Sequence, residues 1–290
     1  MVETSVAVGI VLYNSSDSEV ASCLESIATS EYERTSIRIY IRDNSGGLFE
    51  TLVRRLLDSD NPSGNPYYYE SGDNVGFGAA HNILMSRAFE ESGCDSYLCL
   101  NPDAILHPTA IQQLLTFANT LNMRGLFEAI QFPIGHPKSY DQRAFTTPWC
   151  SGCCLLIPKT IYVTLGGFDE RFWMYCEDVD LSWRVKAAGL QCYAVPSAKV
   201  FHFVMDRAND DYGPSSIGTM MCLAGAQLGQ KWGGKAFRDG LIDEYERRTG
   251  VRPEISELGV ASPLTHRERL MAQPDFSNGF TFAMPRWIEL

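Results

Sequence analysis

The chain has 290 residues, with 24 Lys and Arg against 35 Asp and Glu, a net charge of −11. Apolar residues make up 45% and charged residues 20%, a globular balance that excludes a disordered or fibrous chain. The acidic surplus argues against nonspecific nucleic-acid binding and against an anionic membrane surface as the main partner, because both need clustered cations.

Residues 6–12 are an apolar run closed by Asn14-Ser15-Ser16 and read as a buried strand. Residues 18–28 follow as a helix with Val20, Leu24 and Ile27 on one face. A second strand at 37–41 ends in the turn Arg42-Asp43-Asn44-Ser45-Gly46-Gly47, and residues 48–57 are helical again. A third strand is predicted at 67–69, a helix from about 79, a fourth strand at 96–100, and a helix opened by Pro108 and running to about 119. Strands alternating with helices at this spacing predict βαβ units in a mostly parallel sheet flanked by helices. Beyond residue 122 the pattern loosens. Strands are predicted near 128–133, 153–157, 192–195 and 199–204, and helices at 178–188, 215–231 and 235–248. The last forty residues, with Pro253, Pro263, Pro274 and Pro285, read as an irregular tail packed on the body.

No apolar run approaches the roughly 20 residues that span a bilayer. Residues 1–10 lack a basic start and a long apolar segment, so no signal peptide is expected. The 9 cysteines, irregularly spaced, read as reduced core thiols of a cytosolic protein. Cys150 and Cys153 form one CxxC, but no second pair follows at zinc-site spacing, and residues 153–157 read as a strand. No cysteine sits on a strand-to-helix nucleophile turn, which disfavours a Cys/His hydrolase.

In an open α/β sheet, ligands bind outside the carboxyl ends of the strands. That rule selects Tyr13-Asn14, Asp43-Asn44, the loop Asn74-Val75-Gly76-Phe77-Gly78-Ala79-Ala80-His81-Asn82, and Asn101-Pro102-Asp103. The loop fails the dinucleotide fingerprint, because His81 stands where the third glycine belongs, and a Walker A pattern is absent. Its glycines still allow a backbone to approach a phosphate at a helix start. Asp103 reads either as a ligand or as a helix cap. The most distinctive stretch, residues 166–184, sets Glu177, Asp178 and Asp180 at a helix start behind Phe168, Phe172, Trp173 and Tyr175. First-turn acids complement the helix dipole, but the aromatic lead-in is not explained that way. Rings that stack on sugar faces, beside acids that bind hydroxyls or take protons, suit a sugar site. His202, in an apolar strand, is either a satisfied core residue or a metal ligand.

Taken in order, these pieces resemble the GT-A nucleotide-sugar glycosyltransferases of family 2, rhamnosyltransferase-like branch. The resemblance rests on residues 8–14, Arg42-Asp43-Asn44-Ser45, Asn74-x-Gly76-Phe77-Gly78-x-x-x-Asn82, Asn101-Pro102-Asp103, Gly167-Phe168-Asp169-Glu170 with Glu177-Asp178-x-Asp180-Leu181, and Lys231-Trp232-Gly233-Gly234. It implies a Rossmann-like GT-A domain over residues 1–204, its nucleotide-binding half about 1–120 and its acceptor-binding half about 121–204. A C-terminal helical extension, 205–290, would pack on that body. It further implies an inverting hexosyltransferase of polysaccharide or O-antigen biosynthesis, with dTDP-L-rhamnose as donor and a cell-surface polysaccharide or lipid-linked oligosaccharide as acceptor.

By the same resemblance, Tyr13 flanks the nucleobase, Asp43 accepts from its N3–H, and Asn74, Gly76, Gly78, Asn82 and Asn101 line the nucleotide-sugar pocket. Asp103 binds a divalent metal, Mg²⁺ or Mn²⁺, with His202 completing that site. Asp178 is the general base, and Glu177 supports it or binds acceptor. Trp149, Trp173 and Asp180 are the acceptor contacts. The sequence departs from the family at Asn101, which replaces the first aspartate of the metal motif and removes one charged ligand. That departure keeps open a catalytically silent nucleotide-sugar-binding scaffold, and the resemblance, which sets the sugar less closely than the reaction, leaves a UDP-sugar transferase (galactose, galactofuranose or N-acetylglucosamine) as the other alternative. A lipid-linked acceptor would be met at the inner face of the membrane through partners or through residues 215–231, which otherwise pack on the body or on a second subunit.

Overall fold

The computed structural model describes residues 4–32, 35–59, 64–202 and 216–285. Its strands are β1 (Thr4–Leu12), β2 (Thr35–Asp43), β3 (Tyr67–Ser71), β4 (Ser96–Leu100), β5 (Ala104–Leu106), β6 (Gly125–Phe132), β7 (Cys154–Pro158) and β8 (Gln191–His202). They form one sheet in the order β3-β2-β1-β4-β7-β6-β8-β5. The helices are α1 (Asp17–Ala28), α2 (Glu50–Arg54), α3 (Phe77–Ser86), α4 (Ala110–Thr120), α5 (Lys159–Leu165), α6 (Glu177–Ala187), α7 (Ile217–Trp232), α8 (Lys235–Thr249) and α9 (His266–Ala272).

Strand β1 shows why the sheet is covered on both faces. Its side chains alternate, so Val6, Val8, Ile10 and Leu12 join Leu24 and Ile27 of α1 and Leu114 of α4 in one core. Ala7 and Val11 point the other way and pack with Leu84 of α3 and Leu181 and Val185 of α6. An apolar run buried on both faces is the expected signature of a central parallel strand. Helix α1 begins where Ser16 and Glu19 close a capping box.

Strands β1, β2, β3 and β4 pair parallel, and so do β6 and β8. Strand β7 runs antiparallel to both β4 and β6, and β5 antiparallel to β8, so the second half of the sheet is mixed. Two strands expected at 192–195 and 199–204 are one strand, β8. Its pairing with β6 slips between Ala129 and Ile130, where the partner jumps from Val195 to Lys199. Pro196 sits in that gap; it has no N–H to give the ladder, so a bulge there is its natural place. Strand β5 and helix α5 have no counterpart in the sequence-based expectation. The expected strand end at 203–204 and the domain boundary at 204/205 lie outside the described residues, as do residues 1–3.

The tail is more ordered than its prolines suggest. Trp183 of α6 packs with Leu228 and Trp232 of α7, Ala272 of α9, and Phe282. These aromatics meet edge to face, with Trp183 5.5 Å from Trp232 and 5.9 Å from Phe282. Helix α6 is therefore clamped between the sheet and the C-terminal helices, and its first turn is held at the carboxyl edge of β1 and β4. Among the described residues, no helix is long and apolar enough to cross a membrane.

Candidate active site

A cleft of about 680 Å³ opens at that edge. It brings together Tyr13, Asn74, Gly76, Asn101, Asp103, Glu177, Asp178 and His202 from the expected set. Tyr13, 44% exposed, stands at the end of β1. Asn74 Oδ1 accepts from Gly76 N–H (2.9 Å) and from Asn44 Nδ2 (3.2 Å), and Asn44 Nδ2 also reaches the Gly76 carbonyl (3.3 Å). The ends of β2 and the start of α3 are thus tied together on one wall.

The acid pair opens α6 and borders the cleft. The chain enters the helix through Tyr175 (φ 71°) and Cys176 (φ 64°), two non-glycine residues in the left-handed region. Such conformations cost energy and persist where surrounding structure imposes them, commonly at functional sites. Asp178 Oδ2 accepts from Gly152 N–H (2.9 Å) and Oδ1 from Val179 N–H (2.7 Å). Glu177 Oε2 is buried with no hydrogen-bond partner among the described residues. Burial, then the charge of Asp178, pushes the Glu177 carboxyl well above the carboxylate range. Burial also raises Asp178, but the Gly152 and Val179 amides and Lys138 oppose it. Both carboxyls are raised, and the donors on Asp178 favour its ionisation ahead of Glu177, which has none on its buried oxygen.

Across the cleft, pairing of β5 with β8 places Asp103, one residue before Ala104, beside His202. His202 Nε2 lies 3.3 Å from Asp103 Oδ1 and 3.4 Å from Asn101 Nδ2. His202 Nδ1 is 3.0 Å from Gln131 Oε1, and Gln131 Nε2 donates to Ser151 Oγ (3.0 Å). Gln131 therefore fixes the proton on Nδ1 and turns the Nε2 lone pair toward Asp103, the usual second layer behind a metal-binding imidazole. Two donor atoms 3.3 Å apart match adjacent positions around a hard cation with bonds of about 2.1 Å. Asp103 and His202 are of the right chemistry and spacing for two ligands of a divalent cation. No group of three or more His, Cys, Asp or Glu arranged to hold a metal occurs among the described residues.

Six expected residues lie off the cleft wall. Asp43 is fully buried and saturated by Ser45 N–H (2.7 Å), Phe49 N–H (2.9 Å) and the Tyr69 hydroxyl (2.8 Å), while its neighbour Asn44 takes the wall. Asn82 clasps the Phe168 backbone through both amide atoms, Nδ2 to the carbonyl (2.9 Å) and Oδ1 from N–H (2.8 Å). Gly78 is a close-approach point where an added Cβ would lie 3.0 Å from Phe168 Cβ. Asp180, fully buried, is held by Lys231 (2.6 Å), Arg184 (2.8 Å) and the Trp232 indole N–H (2.8 Å). Trp149 is buried with its indole N–H on the Thr281 carbonyl (2.8 Å). Trp173 is partly exposed, and its carbonyl accepts from Phe77 N–H (3.0 Å). Gln131, His136, Ser151 and Gly152 line the cleft without having been expected. The only local signal was the small Ser-Gly pair ahead of the apolar strand β7.

Solved glycosyltransferases share this architecture. A mannosyltransferase from Pyrobaculum calidifontis, solved with GDP-Man and Mn²⁺, superposes with a TM-score of 0.60 at 15% identity, over 83% of this chain and 69% of that one. GalNAc-T7 with UDP, GalNAc and Mn²⁺ gives 0.64 at 14% identity, over 89% of this chain and 55% of that one. The chain has the GT-A fold. No protein-family profile matches it. In sequence this GT-A chain is 30% identical over 174 residues to the N-acetylglucosaminyl-diphospho-decaprenol L-rhamnosyltransferase of Mycobacterium tuberculosis, covering 46% of this chain and 57% of that enzyme. It is 25% identical over 199 residues to rhamnosyltransferase WbbL of Escherichia coli, covering 57% of this chain and 72% of that protein. The GT-A chain therefore spans little more than half the length of the mycobacterial relative.

Proposed function

We propose that this GT-A chain is an inverting glycosyltransferase that moves L-rhamnose from dTDP-L-rhamnose to a hydroxyl of a polysaccharide or lipid-linked oligosaccharide. The supporting observation is the Asp178 carboxylate, held by two backbone amides on one side of a cleft whose other side carries Asp103 and His202. The rhamnosyl choice rests on the sequence relatives.

In this reading the acceptor hydroxyl gives its proton to Asp178 as its oxygen attacks the anomeric carbon. The bond from that carbon to the diphosphate oxygen breaks, and the nucleoside diphosphate leaves with the electron pair. One displacement inverts the anomeric centre. Neutral Glu177 adds no second negative charge beside the nucleophile. A divalent cation held by Asp103 and His202 would supply neutralising charge for the diphosphate. Tyr13 and Asn44 border the nucleobase, with Asp43 holding the turn after Asn44 through the Ser45 and Phe49 amides. We assign residues 1–204 to the transferase domain and 205–290 to an extension, of which α7, α9 and Phe282 pack on α6.

A thermal-shift screen against dTDP, UDP, GDP and NAD⁺, each with and without Mn²⁺, tests this. A ligand at 100 times its Kd stabilises the native state by about 2.7 kcal/mol. A Mn²⁺-enhanced response to dTDP is expected. A stronger response to UDP moves the donor to a UDP-sugar, and silence toward every nucleotide defeats the reading.

A further inference from the structure

Behind the cleft wall lies an ion pair that the reaction above does not use. Glu128 on β6 and Lys138 in the following loop are 5% and 3% exposed. Lys138 Nζ lies 2.9 Å from both Glu128 carboxylate oxygens, donates to the Trp149 carbonyl, and sits 3.8 Å above the Trp149 ring. A pair this deep costs desolvation that its attraction only roughly repays, so stability alone is a weak reason for it.

Its connections point to the base. Three consecutive amides of the turn before β7 each donate to a side-chain oxygen. Cys150 N–H goes to Ser182 Oγ (2.9 Å), Ser151 N–H to Glu128 Oε2 (2.7 Å), and Gly152 N–H to Asp178 Oδ2 (2.9 Å). Ser182 Oγ closes the ring by donating to the Asp178 carbonyl (2.7 Å). Glu128 is thus the middle anchor of the turn whose next amide holds the Asp178 carboxylate. We propose that Glu128 and Lys138 are positioning residues for Asp178: Glu128 pins the Gly152 amide on the carboxylate, and Lys138 balances the two buried carboxylates. As a statement about the reaction, this rests on the transferase reading above.

The groups facing Asp178 are Glu177 and Cys176 from its own segment, Cys99 from β4, Glu128 from β6, and Lys138. His136 and His202 share the cleft wall. Burial keeps the two thiols protonated, and Glu177 is neutral. Lys138 favours ionisation of Asp178, and Glu128, whose own carboxyl burial pushes up against the pull of Lys138, opposes it once ionised.

The test follows the Asp178 carboxyl carbon by ¹³C NMR through a pH titration of protein labelled at aspartate, the resonance assigned by its loss in Asp178→Asn. Lys138→Met should move the midpoint to higher pH and Glu128→Gln to lower pH, each by about one pH unit. The double variant, which keeps an amide oxygen for Ser151 N–H and leaves no lone buried charge, should fall between them. If Lys138→Met does not fold, Glu128→Gln and the double variant still decide the sign. Turnover of dTDP-L-rhamnose with an N-acetylglucosaminyl-diphospho-lipid gives a second readout. Glu128→Ala should lower kcat about 10-fold or more at unchanged donor KM, with Glu128→Gln restoring most of it. Midpoints that stay put, or move in the same direction, in folded Glu128→Gln and Lys138→Met overturn the proposal. Full turnover by Asp178→Asn would instead overturn the base assignment, without touching the titration result.

Discussion

Gly76→Ala probes the joint on which the cleft depends. Gly76 has φ 84° and ψ 175° at the start of α3, a region essentially closed to other residues. A Cβ there would lie 2.2 Å from the Trp173 carbonyl oxygen and 2.9 Å from Trp173 Cδ1. The structure contains its own control in Gly166, with φ 74° and ψ −170°, where a Cβ would meet nothing within 4 Å among the described residues. The backbone cost is shared and amounts to about 1–3 kcal/mol. Displacing the Trp173 backbone adds about 1–3 kcal/mol at Gly76 alone. At roughly 2–4 °C per kcal/mol for a chain of this size, Gly166→Ala lowers the melting temperature by about 2–12 °C and Gly76→Ala by about twice as much. Paired melts by circular dichroism measure this. A nucleotide titration adds the functional half, because the Trp173 carbonyl also holds Phe77 N–H, and Gly76 and Phe77 both line the cleft. Only Gly76→Ala should weaken nucleotide binding. Equal melting losses and equal binding in the two variants would refute the packing of residues 173–178 on α3.

Asp178→Asn should cut transfer by about 10²–10⁴ while leaving nucleotide binding within a few-fold, read by turnover and calorimetry on the same preparation. Asp103→Ala and His202→Ala should each remove most of the Mn²⁺ enhancement of nucleotide binding; an enhancement that survives both places the cation elsewhere. Glu177 carries a pH signature. Its folded carboxyl holds its proton more tightly than the unfolded one, so its contribution is complete below the ordinary glutamate range and is lost as pH rises through the raised folded value. Glu177→Gln should therefore be more stable than the parent at pH 8, by about 1–3 kcal/mol, with the difference vanishing toward pH 4; denaturant melts at the two pH values decide it.

Much of the fold was legible in the chain because it depends on local pattern. The alternation in β1, the capping box at Ser16, and the proline and glycine punctuation located the first four strands and their helices to within a few residues. Strand β5 was not legible, because three residues give too short a period to separate from a loop; it exists through pairing with β8. The bulge at Pro196 was misread as a break between strands for the same reason: the ladder partner on β6 that carries β8 past the gap is invisible locally.

The candidate site divides along the same line. Residue types and their order in the chain already pointed to the carboxyl edge of the sheet, to an acid cluster opening a helix, and to Asp103 and His202. What they could not say is which acids face the cleft. Asp178 and Asp180 stand two residues apart, so successive helical rotation points them in different directions. Packing of α6 between the sheet and the C-terminal helices sends Asp180 into Lys231, Arg184 and Trp232 and leaves Asp178 on the cleft. Nor could the sequence join Gly152 to Asp178, Gln131 to His202, or Glu128 to Ser151. Those contacts are hydrogen bonds between residues remote along the chain. They form only when β-pairing and the clamped helix bring them within 3 Å, whereas helix and strand periods act over a few neighbouring residues.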